Sequence, residues 1–507
     1  MFQELAYKLI GLVLLAYAAE YLFSLRDDPR EPPRLRPKVP LIGHVLGLIR
    51  SGPSYHSQLS NAMDAEIYTL GIFNFKLYTS TSTRLLPAIQ RQSKTLSFRP
   101  MIQHVARRWG DASDETNDIF GGPHLVTDFS HAMKSSLAPG THLDEQNERM
   151  GNRVLVDIDA LLNTSNLKQQ RSQIKLLEWA RHAVVQASSC GVYGTQHPFL
   201  NPEVEKSFWQ WHAHLSAHIS GLDFDIFRNG YAARQKVFDA HVKYCRDIPQ
   251  DASLLFKERW RVLREAGVSE MDSVKQQATL PIGMLSNTVP TFYWTVWELF
   301  SRADLLNHVR EELVAQAVVK QEDGFALDVA ALKSKCPLLL SVFQETQRVR
   351  HIHAAIRKVM KDTLLDGKYL LKAGNYLQMP GNSIHFNTSI WGPSASDFDP
   401  YRFVNPGKVK HGGSDFLAWG APPHLCPARQ FAATEILILV ALLAIRADLR
   451  PASGAWEKNP TLDFNDPITV LNPKKDVQIH VSIREQWAKK WTLHMSQSQI
   501  RVPLASG

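Results

Sequence analysis

The sequence predicts a mainly α chain with small antiparallel β-sheets, one large domain preceded by a single transmembrane helix. Three observations carry this. Apolar residues recur three and four apart over 168–185, 204–219, 254–266 and 275–299, the period of helices with a buried face. Short alternating runs occur at 67–77, at 363–379 around Asp366-Gly367, and at 468–481 around Asn472-Pro473; these read as a few hairpins. No second linker and no repeat of fixed period follows Leu41. Residues 41–507 therefore form one unit, behind an anchor at 1–25 and a Pro-rich basic hinge at 26–40.

Taken in order, the chain opens with an apolar run from Leu9 to Leu25, broken by Glu20 and extended by its flank back to Phe2. That is about 24 residues, or about 36 Å of helix, enough to cross a hydrocarbon core of about 30 Å. Ala16-Tyr17-Ala18 resembles a signal-peptide cleavage site, but the run continues through Tyr21, Leu22 and Phe23, and Lys8 is balanced by Glu4. An uncleaved anchor is the better reading. Arg26, Arg30, Arg34, Arg36 and Lys38 follow the run, which places the body on the cytosolic side of a single-pass membrane protein. Prolines 29, 32, 33, 37 and 40 make the hinge a semi-rigid spacer. The apolar stretch 430–447 contains Glu435 and Arg446 and follows directly on a cysteine loop, so it reads as a buried core helix rather than a second span.

Composition narrows the classes. Of 507 residues, 44% are hydrophobic and 21% charged, which excludes disordered, collagenous and coiled-coil chains. The net charge of +8 suits an acidic partner or an anionic membrane surface, but no block of five like charges appears, so nucleic acid is not an expected partner. Cysteines stand singly at 190, 245, 336 and 426, which excludes CxxC zinc sites, c-type haem attachment and a disulfide scaffold.

Cys426 is the exception among them. A Gly/Pro loop, Trp419-Gly420-Ala-Pro-Pro-His424-Leu-Cys426-Pro-Ala428, delivers it just before a long apolar helix whose free N–H groups and dipole favour a thiolate. Such a sulfur serves as a nucleophile or a single metal ligand. An aromatic at minus seven, Gly at minus six, His at minus two, Pro at plus one and Ala at plus six resemble the haem-binding loop of the cytochrome P-450 superfamily. Trp419, Pro422 and Ala428 stand where that family usually has Phe, Gly and Gly. Glu345-Thr-Gln-Arg348 resembles its ExxR pair, and Phe398-Asp-Pro-Tyr-Arg402-Phe403 its arginine motif, which implies a structural triad of Glu345, Arg348 and Arg402.

The resemblance implies haem b, held through Cys426 as the axial iron ligand, with Trp419 and Ala428 against the porphyrin and His424, Arg357 and Lys134 as propionate partners. A thiolate ligand donates electron density to iron and favours O–O cleavage. It also implies a helix over 280–300 across the distal face, kinked at Pro290. The usual acid-alcohol pair is absent there. Asn287, flanked by Ser286 and Thr288, takes its place, and Asn-Thr-Val-Pro at 287–290 is similar to the branch with prostacyclin synthase and the steroid 7α- and 12α-hydroxylases. Asn287 has no titratable proton but can bond water or substrate. Met284, Thr291, Ala354 and Val470 are the implied substrate contacts, together with the loops 101–126, 351–355 and 468–471. The aromatics Trp209, Trp211, Phe224, Phe227 and Tyr231 line either core or a greasy entrance. The expected function is a haem-thiolate monooxygenase that uses an NADPH-cytochrome P-450 reductase to insert oxygen into an apolar terpenoid, steroid-like or polyketide substrate of fungal secondary metabolism. The alternative is a haem-thiolate isomerase or dehydratase acting on a peroxide without a reductase. A cysteine hydrolase is the distant rival, since His424 is poorly placed to accept the Cys426 proton.

Overall fold

A computed structural model of the chain describes all residues except 1, 26, 52–53, 62–64, 73–74, 167–171, 222–227, 353, 405–412, 464–467, 496–498 and 507. Helices dominate, and three form the centre: Leu176–Tyr193, Thr288–Phe300 and Arg429–Arg446. Every residue of Thr288–Phe300 is buried, as is every residue from Phe431 to Arg446. A helix enclosed on all sides has no polar stripe, which is why 430–447 reads as uniformly apolar. Arg429–Arg446 packs against Thr141–Asn166, Thr288–Phe300 and Ala303–Gln316, and Pro337–Arg350 also packs on Thr288–Phe300.

Several expected helices are divided. The helix expected over 168–185 starts at Leu176, because Ser172–Lys175 pairs as a strand with Gln478–Val481; residues 168–171 lie outside the described residues. The 204–219 pattern splits into Pro202–His212 and Leu215–Ile219. The 275–299 pattern yields Glu270–Ala278, Leu280–Leu285 and Thr288–Phe300. Proline explains the second break in that pattern. Pro290 has no N–H to offer the Ser286 carbonyl, so the ladder lapses at Ser286-Asn287 and resumes where Thr291 N–H donates to Asn287 O at 3.1 Å.

The sheets are small but mixed, which corrects the antiparallel expectation. A six-stranded sheet runs in the order Arg34–Leu35, Ile67–Ile72, Phe75–Ser80, Tyr376–Pro380, Ala354–Val359, Leu96–Ser97. Arg34–Leu35 pairs parallel with its neighbour, as do Tyr376–Pro380 with Phe75–Ser80 and Lys490–His494 with Gly324–Asp328. Alternation in sequence reports a buried face, not the direction of the partner; parallel pairing needs a long crossover, here the helical domain itself. The hairpin at 363–371 forms as expected, with Asp366 at φ 54 and Gly367 at φ 67 in its turn. The 468–481 run yields a strand only from Gln478, while Val470 bridges to His351.

The leading segment forms a helix, Phe2–Ser24, but among the described residues no helix is long and apolar enough to cross a membrane. The spanning anchor is therefore not supported. Glu4, Lys8 and Glu20 interrupt its apolar surface, and Glu20 is used locally: its carboxylate accepts Leu41 N–H at 2.9 Å and lies 3.7 Å from Arg34. The following segment is docked rather than extended. Glu31 binds Lys76 at 2.7 Å and accepts the Tyr78 hydroxyl at 2.6 Å, Arg34 pairs with Asp27, and Thr69 Oγ1 donates to Pro32 O.

Candidate active site

Glu345 is fully buried in the second half of Pro337–Arg350. Arg348 donates to both of its oxygens at 2.8 Å, Arg402 at 3.0 and 3.1 Å, and Asp399 N–H at 2.9 Å. Arg348 spends its remaining donors on the carbonyls of His385, Ala395 and Asp397, and Arg402 on those of Trp391 and Ser394. The carboxylate thus pairs with two cations, and the cations fasten the 385–397 segment to the helix. The structure brings these three sequence-predicted residues into one network.

Above this anchor runs the cysteine loop. Cys426 N–H donates to Trp419 O at 2.8 Å, which folds the loop back on itself. Gly420 sits at φ +93, and a Cβ there would meet His424 O at 2.9 Å. Only glycine fits this turn. Burial pushes the Cys426 thiol up, while the Ala428 N–H and the Arg429 guanidinium pull it down. A thiolate in this setting is stabilised by a positive partner at sulfur, which a metal centre supplies.

The cations around the loop give an independent test of whether a haem fits. Arg357 is 3% exposed, donates to the carbonyls of Ile356 and Ala421, and pairs with no carboxylate among the described residues. Burial alone pulls it down to about 10. His424 is lowered to about 4, first by burial and then by the charges of Arg357 and Lys134. The charges of Arg357 and Lys134 thus both act on His424, and no acid pairs with Arg357 among the described residues, an arrangement that suits a ligand bringing two carboxylates, as the haem propionates do. Phe98 links this cluster to the next cavity: its ring lies 5.7 Å from that of His424 and 5.6 Å from the Arg357 guanidinium.

Two adjoining cavities meet at the broken helix. The first, about 220 Å³, is lined by Cys426, Trp419, His424 and Ala428 on one side and by Gly283, Met284, Asn287, Thr288, Thr291 and Val470 on the other. The second, about 420 Å³ and largely apolar, shares Gly283, Asn287 and Thr469 with the first. A Cβ on Gly283 would meet nothing within 4 Å, so the helix leaves open space there. The 101–126 loop lines the second cavity as expected, through Met101, Ile102, Val105, Trp109 and Phe120. Ala354 lines neither cavity; it pairs in the sheet opposite Pro380. Lys134 lines neither cavity; its charge acts on His424.

The polar residues of the broken helix do not present free hydroxyls to the first cavity. Thr288 Oγ1 donates back to Met284 O at 2.6 Å, and Ser286 Oγ, which lines only the second cavity, lies 2.8 Å from His212 Nε2. Asn287 Oδ1 accepts Thr469 N–H at 2.8 Å and Val470 N–H at 3.3 Å, so its carbonyl holds the 468–470 loop while its amide NH2 is left for the cavities. Of the expected aromatics, Trp211 is fully buried core and Tyr231 stacks on His218 at 4.0 Å; Phe224 and Phe227 lie outside the described residues. Sequence reasoning missed Phe98, Glu435, which lines the first cavity, and Arg259, which lines the second. Glu435 had a signal, a lone acid in an apolar helix. Arg259, in the charged run Lys257-Glu258-Arg259, had none.

Comparison with known proteins agrees with this geometry. The chain matches the sequence profile of the family Cytochrome P450 over residues 81–479. It is 32% identical to the cytochrome P450 monooxygenase nodJ of Hypoxylon pulicicidum over 98% of both chains, and 24% identical to a cytochrome P450 monooxygenase of Gibberella zeae over 89% of this chain and 88% of that one. The solved structure of retinoic acid bound cyanobacterial CYP120A1 superposes with a TM-score of 0.70 at 14% identity, covering 90% of this chain and 99% of that one.

Proposed function

We propose that this chain, which belongs to the cytochrome P450 family and is an oxidoreductase of the monooxygenase class, binds haem b through Cys426 and oxidises an apolar terpenoid, steroid-like or polyketide substrate of secondary metabolism. The observation that carries the reading is Cys426 at one wall of a cavity that His424 also lines, with the charges of Arg357 and Lys134 acting on His424 and no carboxylate pairing with Arg357 among the described residues. A haem-thiolate centre, when bound, supplies the activation of dioxygen for insertion of one oxygen atom. The chain's own residues do the rest. Arg357, His424 and Lys134 would hold the propionates, and the Glu345 network keeps the 385–397 segment in place. The broken helix presents Gly283 and the Asn287 amide where substrate and oxygen must meet, and the apolar second cavity orients the substrate and excludes water. Electrons come from an NADPH-dependent reductase in the cytosol. The leading helix exposes Leu5, Tyr7, Leu12, Leu15 and Leu22, a surface suited to attachment at the endoplasmic reticulum membrane.

The test is Cys426→Ala. The variant is expected to lose the thiolate signature of its ferrous carbon monoxide complex, and product formation with NADPH and reductase, at unchanged fold by circular dichroism. An unaltered spectrum would remove Cys426 from the metal.

A further inference from the structure

Arg259 stands on Leu254–Glu265, is 4% exposed, and lines the second cavity. Its Nε donates to Gln277 Oε1 at 3.0 Å and its Nη2 to Gln276 O at 3.1 Å, which ties its helix to the end of Glu270–Ala278. Among the described residues its Nη1 reaches only the Met133 sulfur, at 3.4 Å, a weak acceptor. A guanidinium has five N–H donors, and no carboxylate among the described residues pairs with this one. The Phe129 ring covers one face at 4.2 Å. Burial pulls it down to about 10, so it is still a cation at neutral pH. The inter-helix tie accounts for Nε and Nη2. It does not account for a positive charge kept beside a largely apolar cavity, where an unpaired ion is costly.

We propose that the substrate of the second cavity is an apolar molecule carrying one carboxylate, and that Arg259 anchors that carboxylate. This rests on the oxygenase reading, which makes the cavity a substrate site. A carboxylate fits better than a phosphate, because Met101, Ile102, Val105, Leu215 and Ile282 around it offer no second cation for a second charge. From Gln276, which touches Arg259, to Gly283, where the cavities meet, the chain advances seven residues of nearly continuous helix, roughly 10 Å. The anchored acid therefore lies roughly 10 Å along the helix from Gly283, where the two cavities meet.

The experiment titrates the purified haem protein with abietic acid, hexadecanoic acid and the methyl ester of each. Binding is read by the haem absorption shift and, independently of the haem, by the rise in melting temperature. In wild type at least one acid should bind tenfold or more tighter than its ester. Arg259→Met should bring that preference below twofold by weakening the acid alone, and Arg259→Lys should keep at least a threefold preference. Equal affinities in wild type, no binding of either acid, or a preference that survives in Arg259→Met would overturn the anchor. Should Arg259→Met yield no folded protein, the wild-type ratio and Arg259→Lys decide. Loss of the ferrous carbon monoxide signature in wild type would instead overturn the oxygenase reading, and the melting-temperature arm would still report on Arg259.

Discussion

Glu435→Gln should stabilise the protein, and the gain should grow as pH rises from about 5 to 8. Glu435 is fully buried in Arg429–Arg446, and its recorded partner is the Ser188 hydroxyl, at 2.9 and 2.8 Å from the two oxygens. Burial pushes its carboxyl from 4.5 up to about 8. The folded chain therefore holds a proton that the unfolded chain releases above 4.5. The stabilisation from that proton is complete below pH 4.5, is lost with a slope of about 1.4 kcal/mol per pH unit as pH rises toward 8, and is gone above it. Across the whole window the loss is on the order of 4 to 5 kcal/mol. Glutamine keeps the shape and cannot titrate, so the variant is spared. A chain of 507 residues unfolds with an entropy near 1 kcal/mol/K, so each kcal/mol moves the melting temperature by about 1 °C. Melting temperatures of both proteins at pH 5, 6, 7 and 8 and fixed ionic strength should diverge by roughly 4 °C. Parallel curves would refute the reasoning, because they would mean that Glu435 has the same protonation state in the folded and the unfolded chain across this range.

Glu345→Gln strands Arg348 and Arg402 in a buried site and should cost about 3 to 5 kcal/mol; normal haem content and melting temperature would show that the network is dispensable. Gly420→Ala places a Cβ 2.9 Å from His424 O at φ +93 and should cost about 1 to 3 kcal/mol, read as lost haem content at constant expression. Asn287→Ala leaves the Thr469 and Val470 N–H groups without their acceptor and should lower stability by about 1 to 3 kcal/mol as well as product formed per NADPH. Asn287→Asp, which keeps an acceptor, should recover the stability; equal melting temperatures for all three would remove Asn287 from the loop.

What the sequence revealed was local. The Cys426 loop is legible because Gly420, Pro427 and the helix that follows lie within a few residues of one another, and the Glu345 pair because three residues make one helical turn. Helices were legible by period, but their ends were set elsewhere: Leu176 begins its helix only because Ser172–Lys175 is claimed by the strand at Gln478. The role of Asn287 was half legible. Its place on the distal helix followed from the resemblance of 280–300 to the family's helix, but the partner of its carbonyl lies at Thr469, and nothing in residues 287–291 announces it. The leading helix misled for a related reason. Glu20 reads as a flaw in an apolar span until Leu41 and Arg34 are seen against it.

Buried charge in this fold sorts by what it faces. Glu345 lies away from both cavities and is fully compensated by Arg348 and Arg402. Glu435 faces the first cavity and, with a hydroxyl for its partner, is held neutral by burial. Arg357 and Arg259 are the opposite case: both are nearly inaccessible, both are pulled down to about 10 by burial, and both answer mainly to carbonyl or amide oxygens rather than to an acid. A charge that serves structure brings its counter-ion from the chain, because leaving it out costs several kcal/mol. A charge whose counter-ion is missing from the chain is a site where a ligand's own charge completes the pairing. On that argument Arg357 beside the cysteine loop and Arg259 in the apolar cavity pose the same question to two different ligands, one a cofactor and one a substrate.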